Sequence, residues 1–481
     1  HLLAHTNSGM MRRHRFTLPH LFILLLTVLG VWFTSTLPQA RSELLTVHVI
    51  PHSHCDPGWL NTFEGYYTSE VRIILDGILR ELSGHPNRKF VWSEISYFNR
   101  WYESLNKDQK EQFKSLVKRG QIEFVNGGWV QSDESAPDPT AIINQLSTGH
   151  EYILKNFGVA PRVGWQIDPF GHSAVTPSLW SLMGYEALVI NRIHHSIKDS
   201  FKSQKKMEFI WRGDDLGQKT DMFTHVLHTH YSAPPGFDWE EASMGIDANN
   251  VGHRARDFAN IMRGRSQAYR TQPLLVPFGD DFKFKQAERQ FSNMDRVIEH
   301  INADSASFGM RVRYSTLSDY FEAVSGSHVK HPLIQGDFFP YADNEDSYWT
   351  GYYTTRPLLK QKSRKLNHIL RACEQLLVLV RSSPHSNLDT TQAELSRGYW
   401  EEKFREIEKA RMETALFLHH DAITGTGRSH VVNDYQSRMD SASEQAMYIM
   451  TRMIEHLLTK EPNPTPNLTP DPLVFGPPEG T

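Results

Sequence analysis

From Leu44 onward the chain alternates short apolar runs with amphipathic stretches, a rhythm that few folds satisfy. Leu44–Ile50 reads as a buried strand. Val71, Ile74, Leu75, Ile78, Leu79 and Leu82 then recur at helical spacing until Ser83-Gly84 ends the helix. Further strands are expected at Phe90–Trp92, Ile122–Val125, Val163–Ile167, Ala187–Asn191, Met222–Leu227 and Leu274–Phe278, with helical patterns between most of them. Strand, helix, parallel strand is the economical solution, so residues 44–355 predict an α/β domain, either a parallel sheet or a distorted β/α-barrel. Its functional groups belong at the carboxyl ends of the strands. Past residue 356 the grammar changes to long helices at 357–382, 394–420 and 436–459, which predicts a helical bundle over 356–460. Seven prolines in 461–481 read as a linker to something absent from this chain.

The N-terminus sets an expectation about compartment. Arg12, Arg13 and Arg15 precede an uncharged apolar run from Leu21 to Phe33, and its flanks extend from Leu18 to Leu37. That span matches the roughly 20 residues of a membrane-crossing helix. A cut after Ala40 would follow Pro-Gln-Ala, a poor small-x-small site, so an uncleaved anchor at about 18–37 is expected, with a cytoplasmic tail, a short stem and a lumenal bulk. The balance of 51 basic against 55 acidic residues, net −4, excludes a nucleic-acid-binding surface as the main function. Two cysteines, Cys55 and Cys373, are too few for a disulfide framework.

Three strand ends finish in chemistry-bearing residues. The first carries Pro51-His52-Ser53-His54-Cys55-Asp56-Pro57-Gly58-Trp59, where an imidazole and a carboxylate two apart can turn inward onto one divalent cation. Taken alone, His52 and His54 serve equally well as hydrogen-bonding loop residues. Cys55, between the two ligand-competent side chains, is expected to pack. The second strand end carries Asp168-Pro169-Phe170-Gly171-His172, and the third Gly279-Asp280-Asp281-Phe282. Three strand ends closing on Asp point to a shared cation or proton, since a buried unpaired carboxylate costs several kcal/mol. Far along the chain, Leu418-His419-His420-Asp421-Ala422-Ile423-Thr424-Gly425-Thr426 closes an apolar helix, where a His can also be only a partner of the helix dipole.

Together these four motifs, in this order, resemble glycoside hydrolase family 38, the class II α-mannosidases. The likeness continues through Thr316-Leu-Ser-Asp-Tyr-Phe321, Gly336-Asp-Phe-Phe-Pro-Tyr-Ala-Asp343 and Tyr348-Trp-Thr-Gly-Tyr-Tyr-Thr-Thr-Arg356. With Arg192-Ile-His-His and Phe209-Ile-Trp-Arg212, it looks more like the Golgi branch than the lysosomal one, and it spans roughly residues 44–475. The resemblance implies one Zn²⁺ held by His54, Asp56, Asp168 and His420. It implies Asp168 as nucleophile and Asp281 as acid/base, with the pKa of Asp281 raised by its neighbour Asp280 and other negative groups. Trp59 and Phe170 would line the sugar subsite. Arg192, Asp280 and Asp421 would support the sugar and the carboxylates, and Trp349 is assigned to the same wall. Retaining enzymes of this kind hold their two carboxyls about 5–5.5 Å apart.

The implied reaction is hydrolysis of terminal α-1,3- or α-1,6-linked mannose from N-linked glycans at the Golgi membrane, by a single-pass type II protein. Partners would be the glycan and the lipid bilayer, with a homodimer allowed. The alternatives are a lysosomal-type catabolic mannosidase, a metal-assisted deacetylase, and an inactive glycan-binding remnant. Golgi-type relatives carry a Tyr-Asp pair after the strand at Met222, where this chain has His230, Tyr231 and Ser232, so the sugar contact of that Asp is in doubt. Asn467-Leu468-Thr469 is a glycosylation sequon followed by Pro470.

Overall fold

The computed structural model describes residues 44–213, 216–241, 244–382 and 390–458. The expected anchor at 18–37, the linker at 461–481 and the sequon at Asn467 lie outside those residues. Among the described residues, no helix is long and apolar enough to cross a membrane.

The described residues form ten strands: β1 Leu45–Pro51, β2 Phe90–Trp92, β3 Ile122–Phe124, β4 Val163–Gln166, β5 Ala187–Ile190, β6 Glu208–Arg212, β7 Met222–Val226, β8 Pro273–Phe278, β9 Met310–Tyr314 and β10 Leu333–Gln335. They join in the orders β8-β1-β9, β10-β6-β7-β5-β4 and β2-β3. All pairs are parallel except β6 with β7. Strands buried on both faces read as continuous apolar runs, and β4, β5 and β8 are buried at every residue. The protein is thus a parallel-sheet α/β layer followed by long helices, as the rhythm of its sequence predicts.

Three strands, β6, β9 and β10, escape the sequence reading. β6 was visible only as the motif Phe209-Ile-Trp-Arg212, and its antiparallel partner departs from the all-parallel expectation. The connection 213–221 is too short for a helical crossover, which needs a dozen or more residues. β9 alternates buried and exposed residues as Met-Arg-Val-Arg-Tyr, a period-2 pattern unlike its apolar neighbours.

The late helices run Pro357–Ser382, Thr390–Leu416 and Ser429–Leu458. The first matches its expected bounds. The second ends before the His-His-Asp motif, so His420 stands in a turn instead of closing the helix. That turn contains Gly425 at φ +84°, where a Cβ would meet Thr355 at 2.7 Å. The third begins seven residues earlier than expected, because the buried positions Val431, Tyr435, Met439, Ala442, Ala446, Ile449 and Met453 carry the helical spacing back towards the turn.

Tyr435 of that last helix ties the two regions together. Its hydroxyl donates to Pro57 O at 2.6 Å, and Gly58, at φ +115°, allows the approach: a Cβ there would lie 2.4 Å from the same hydroxyl. Cys55 and Cys373 are both buried and free.

Candidate metal and catalytic site

Beyond their last ladder residues, β1 and β8 continue side by side. His54 N–H donates to Asp280 O at 3.1 Å, and Phe282 N–H donates to His54 O at 2.8 Å. This pairing sets His54 against Asp281. Gly279 makes it possible, since a Cβ would lie 2.0 Å from His52 O.

The imidazole of His54 then points at two carboxylates, with Nε2 at 2.9 Å from Asp56 Oδ1 and 3.3 Å from Asp168 Oδ2. His420, arriving from the distant turn, mirrors it: Nε2 is 3.3 Å from Asp56 Oδ1 and 3.1 Å from Asp168 Oδ2. All four side chains are buried, and their donor atoms lie within 4.8 Å of one another. Bonds of about 2.0–2.2 Å to a tetrahedral cation place ligand atoms roughly 3.3–3.5 Å apart, so the quartet has nearly the edges such an ion needs. The chemistry agrees. Asp56 Oδ1 and His54 Nε2 are buried atoms without a hydrogen-bond partner, facing one another across the gap.

Charge balance supports the same conclusion. Burial alone would raise the Asp168 carboxyl, but Arg192 and the imidazoles of His420 and His54 hold it well below the usual range. Asp56 is likewise held low by His54 and His420 against the effect of burial. The two imidazoles are pushed well up, burial notwithstanding, by Asp56 and Asp168. The two carboxylates thus favour positive charge between them, which a divalent cation would supply.

Asp168 divides its two oxygens. Oδ2 faces the imidazoles, while Oδ1 accepts from Arg192 Nε at 2.6 Å and Nη2 at 2.5 Å. Arg192 is walled by the rings of Trp349, Tyr341 and Phe170, its guanidinium carbon 5.3, 5.6 and 5.7 Å from their centres. Phe170 lies 5.9 Å from the His420 ring. Trp349 Nε1 donates to Asp343 Oδ2 at 2.8 Å, and Tyr341 donates to the other oxygen of that carboxylate.

The Asp281 carboxyl is pushed up to about 6, first by burial and then by Asp56 and Asp168, against the pull of His54 and Tyr231. Of the negative neighbours expected to raise it, Asp56 and Asp168 lead, whereas Asp280 is not among the main causes and accepts the Asp281 backbone N–H at 3.0 Å. Asp421 accepts from the Thr426 hydroxyl and stands beside His419 and Asp56. Trp59 is half-buried on the same loop as Asp56 and is tied to the late turn through its backbone, where Arg428 N–H donates to Trp59 O at 3.0 Å.

Several site residues were not singled out from the sequence. Gln131 reaches both metal-competent imidazoles: its backbone O pairs with His420 Nδ1 at 2.9 Å, and its side-chain amide lies 3.4 Å from His54 Nδ1. Glu94 holds Gln131 in place, accepting from its side chain at 2.8 Å and from its backbone N–H at 2.9 Å. Burial pushes Glu94 up to about 7 although His54 and His420 oppose it. Tyr231, noted only as a departure, donates its hydroxyl to Asp281 Oδ1 at 2.8 Å. The signal was weak for all three, because a Gln or Tyr outside a motif looks like any polar or packing residue.

The fold and site together define an α/β protein with a buried His/Asp cluster that could hold a metal ion beside the carboxyl ends of its parallel strands. Residues 44–344 match the profile described as "Glycosyl hydrolases family 38 N-terminal domain", and residues 347–457 match "Alpha mannosidase middle domain". The chain belongs to glycosyl hydrolase family 38.

Among its relatives, Alpha-mannosidase 2 of Drosophila melanogaster is 39% identical over 451 residues, covering 86% of this chain and 39% of the relative. Alpha-mannosidase F of Dictyostelium discoideum is 37% identical, with 91% and 43% covered. The lysosomal alpha-mannosidase of the same organism is 36% identical, with 89% and 42% covered. The chain therefore spans about two fifths of the length of the curated relatives it matches. An alpha-mannosidase structure from Enterococcus faecalis V583 shares the fold with TM-score 0.67 at 17% identity, over 86% of this chain and 42% of that one.

Proposed function

We propose that this chain carries the catalytic machinery of a zinc-dependent, retaining α-mannosidase that removes terminal α-1,3- or α-1,6-linked mannose from N-linked glycans during Golgi processing. The observation that carries the reading is the division of labour at two carboxyls. Asp168 is held ionised by Arg192 and two imidazoles, while Asp281 is driven towards its acid form. A nucleophile must be charged and a general acid must hold a proton, and the two environments support those roles.

His54, Asp56, Asp168 and His420 would hold the zinc, whose chemistry is to bind the vicinal hydroxyls of the mannose ring and stabilise positive charge developing there. Asp168 attacks the anomeric carbon as the glycosidic C–O bond breaks, and Asp281 delivers its proton to the departing oxygen. Tyr231 occupies Oδ1 of Asp281 with a donated hydrogen bond, which leaves Oδ2 to carry that proton. Water then attacks the same carbon, Asp281 takes its proton, and Asp168 leaves as the carboxylate. Phe170, Trp349 and Trp59 supply the apolar face of the sugar subsite, with Asp421 and Asp280 at its polar edge. Arg192 keeps Asp168 aimed.

The test is hydrolysis of an aryl α-mannoside by the full chain, with metal content measured on the same sample, beside Asp168→Ala. Bound zinc and turnover abolished by the substitution are expected. Equal rates for both proteins would remove Asp168 as nucleophile, zinc without turnover would mark a glycan-binding remnant, and acetate released from acetylated sugars would mark a deacetylase. Likeness to both Alpha-mannosidase 2 and a lysosomal alpha-mannosidase makes the pH profile the measurement that separates a Golgi from a lysosomal setting, with an optimum at strongly acidic pH favouring the lysosomal one.

A further inference from the structure

His419 precedes His420 in the late turn, and the chemistry above gives it no task. Its ring is fully buried, and neither ring nitrogen has a hydrogen-bond partner. An imidazole left so in the interior is costly unless something else meets it. Its Nε2 lies 3.5 Å from Asp56 Oδ1 and 3.5 Å from Asp421 Oδ2. Those separations are long for hydrogen bonds, yet they are close to the roughly 3.3–3.5 Å edges of a tetrahedral site with bonds of about 2.0–2.2 Å. Thr426 engages Asp421 Oδ1, which leaves Oδ2 turned towards His419. Asp56 Oδ1 is a buried acceptor without a hydrogen bond and lies 3.3 Å from His420 Nε2. Donor atoms of Asp56, His419, His420 and Asp421 all fall within 4.8 Å of one another, and all four residues are buried.

We propose that Asp56, His419, His420 and Asp421 form a second seat for the same divalent cation, overlapping the seat made by His54, Asp56, Asp168 and His420. The inference rests on the zinc reading of the first seat. His420 has only Nε2 to give, because Nδ1 is engaged by Gln131 O at 2.9 Å, and Asp56 Oδ1 is common to both quartets. One ion therefore fills one seat at a time. Each seat offers two imidazoles and two carboxylates, so moving between them changes no net charge. The difference is that the second seat leaves out Asp168 and takes up Asp421, the carboxylate assigned to the sugar. It is a holding position, used when no sugar is bound or when Asp168 is drawn away.

A double-mutant cycle on the full chain tests this, with zinc affinity read by competition against a chromophoric chelator. In the native chain His419→Phe should weaken zinc less than about threefold, and Asp168→Asn should weaken it about tenfold, because the second seat survives. The pair should lose more than about 100-fold, well beyond the product of the single changes. Strict multiplicativity, or complete loss of zinc from Asp168→Asn alone, would overturn the second seat. The conservative His419→Gln, read by the visible absorption of Co²⁺ in the Asp168→Asn background, guards against a packing effect: the Co²⁺ bands should weaken although the fold is intact by circular dichroism, and unchanged bands overturn the proposal. If the native chain binds no zinc, the proposed function and this inference both fall. If it binds zinc and the cycle is multiplicative, this inference falls alone.

Discussion

The same strands end in two quite different settings. Near their first residues, β4, β5 and β7 contribute Val163, Ala187 and Phe223 to a cavity of about 540 Å³, whose walls add Ile210, Phe321 and His331. Its charged edge is the Arg162–Glu186 pair, exposed and 2.7 Å apart. At the opposite ends, the chain after β4 and β5 delivers Asp168 and Arg192, and the chain after β1 and β8 delivers His54, Asp56 and Asp281, into a space packed with buried charge. Open volume therefore does not mark the chemistry here; converging polar atoms with no neutral partner do. Loops leaving the carboxyl ends of parallel strands converge on one centre.

Changes at the two ends should separate cleanly. The largest effect belongs to Asp281→Asn, which is expected to lower kcat by about 10²–10⁴-fold on substrates with poor leaving groups, and by less on activated aryl mannosides. In the unaltered protein, hydrolysis should decline as pH rises through about 6, where the Asp281 proton is lost, and a pH–rate profile checks both the value and the sign. A flat profile, or equal losses on both kinds of leaving group, would break the assignment.

Between the two ends sits His48 in mid-β1, its Nδ1 2.9 Å from Ser315 Oγ. Burial, aided by Arg313, lowers it from 6.5 to about 4. A lowered histidine is neutral when folded and takes a proton more readily when unfolded, so its contribution is intact above pH 6.5 and is lost as pH falls towards 4. Urea unfolding at pH 7 and pH 4.5 should differ by about 2–3 kcal/mol more in the native chain than in His48→Leu, with the site untouched.

At the metal end, Gln131→Leu should weaken zinc by about 10-fold, because the side-chain amide beside His54 is lost while the backbone contact to His420 and every ligand remain. Calorimetric titration with Zn²⁺ would show it, and unchanged affinity would return Gln131 to a packing role. The smallest effect is assigned to the opposite end: Arg162→Ala should cost under about 1 kcal/mol of stability and leave hydrolysis as it was. A loss of activity there would mean that the two ends are coupled.

How much of this was legible varied with distance along the chain. β1, β4, β5 and β8 announce themselves as apolar runs, and each of β1, β4 and β8 is followed within a few residues by its Asp, so motif and strand could be read together. β6 and β10 could not, since a short strand beside a turn has no periodicity to show. His420 was recognisable through its motif, yet its place in a turn was not, because Gly425 and the packing of Thr355 decide where the helix stops. Tyr231 and Gln131 carried only a weak local signal. Their roles come from bonds across 50 and 289 residues of sequence, to Asp281 and His420.

Sequence alone determined the rhythm of strands and helices, the identity of the cation-competent side chains and the family to which they belong, because periodicity and motif are local properties of the chain. Tertiary structure decided which carboxyl is held low and which is pushed up, how Gln131 meets two histidines, and that His419 stands between Asp56 and Asp421. Those facts depend on burial and on distances of a few ångströms between residues hundreds apart, and the free energy of a charge is set by its surroundings and not by its neighbours in the chain.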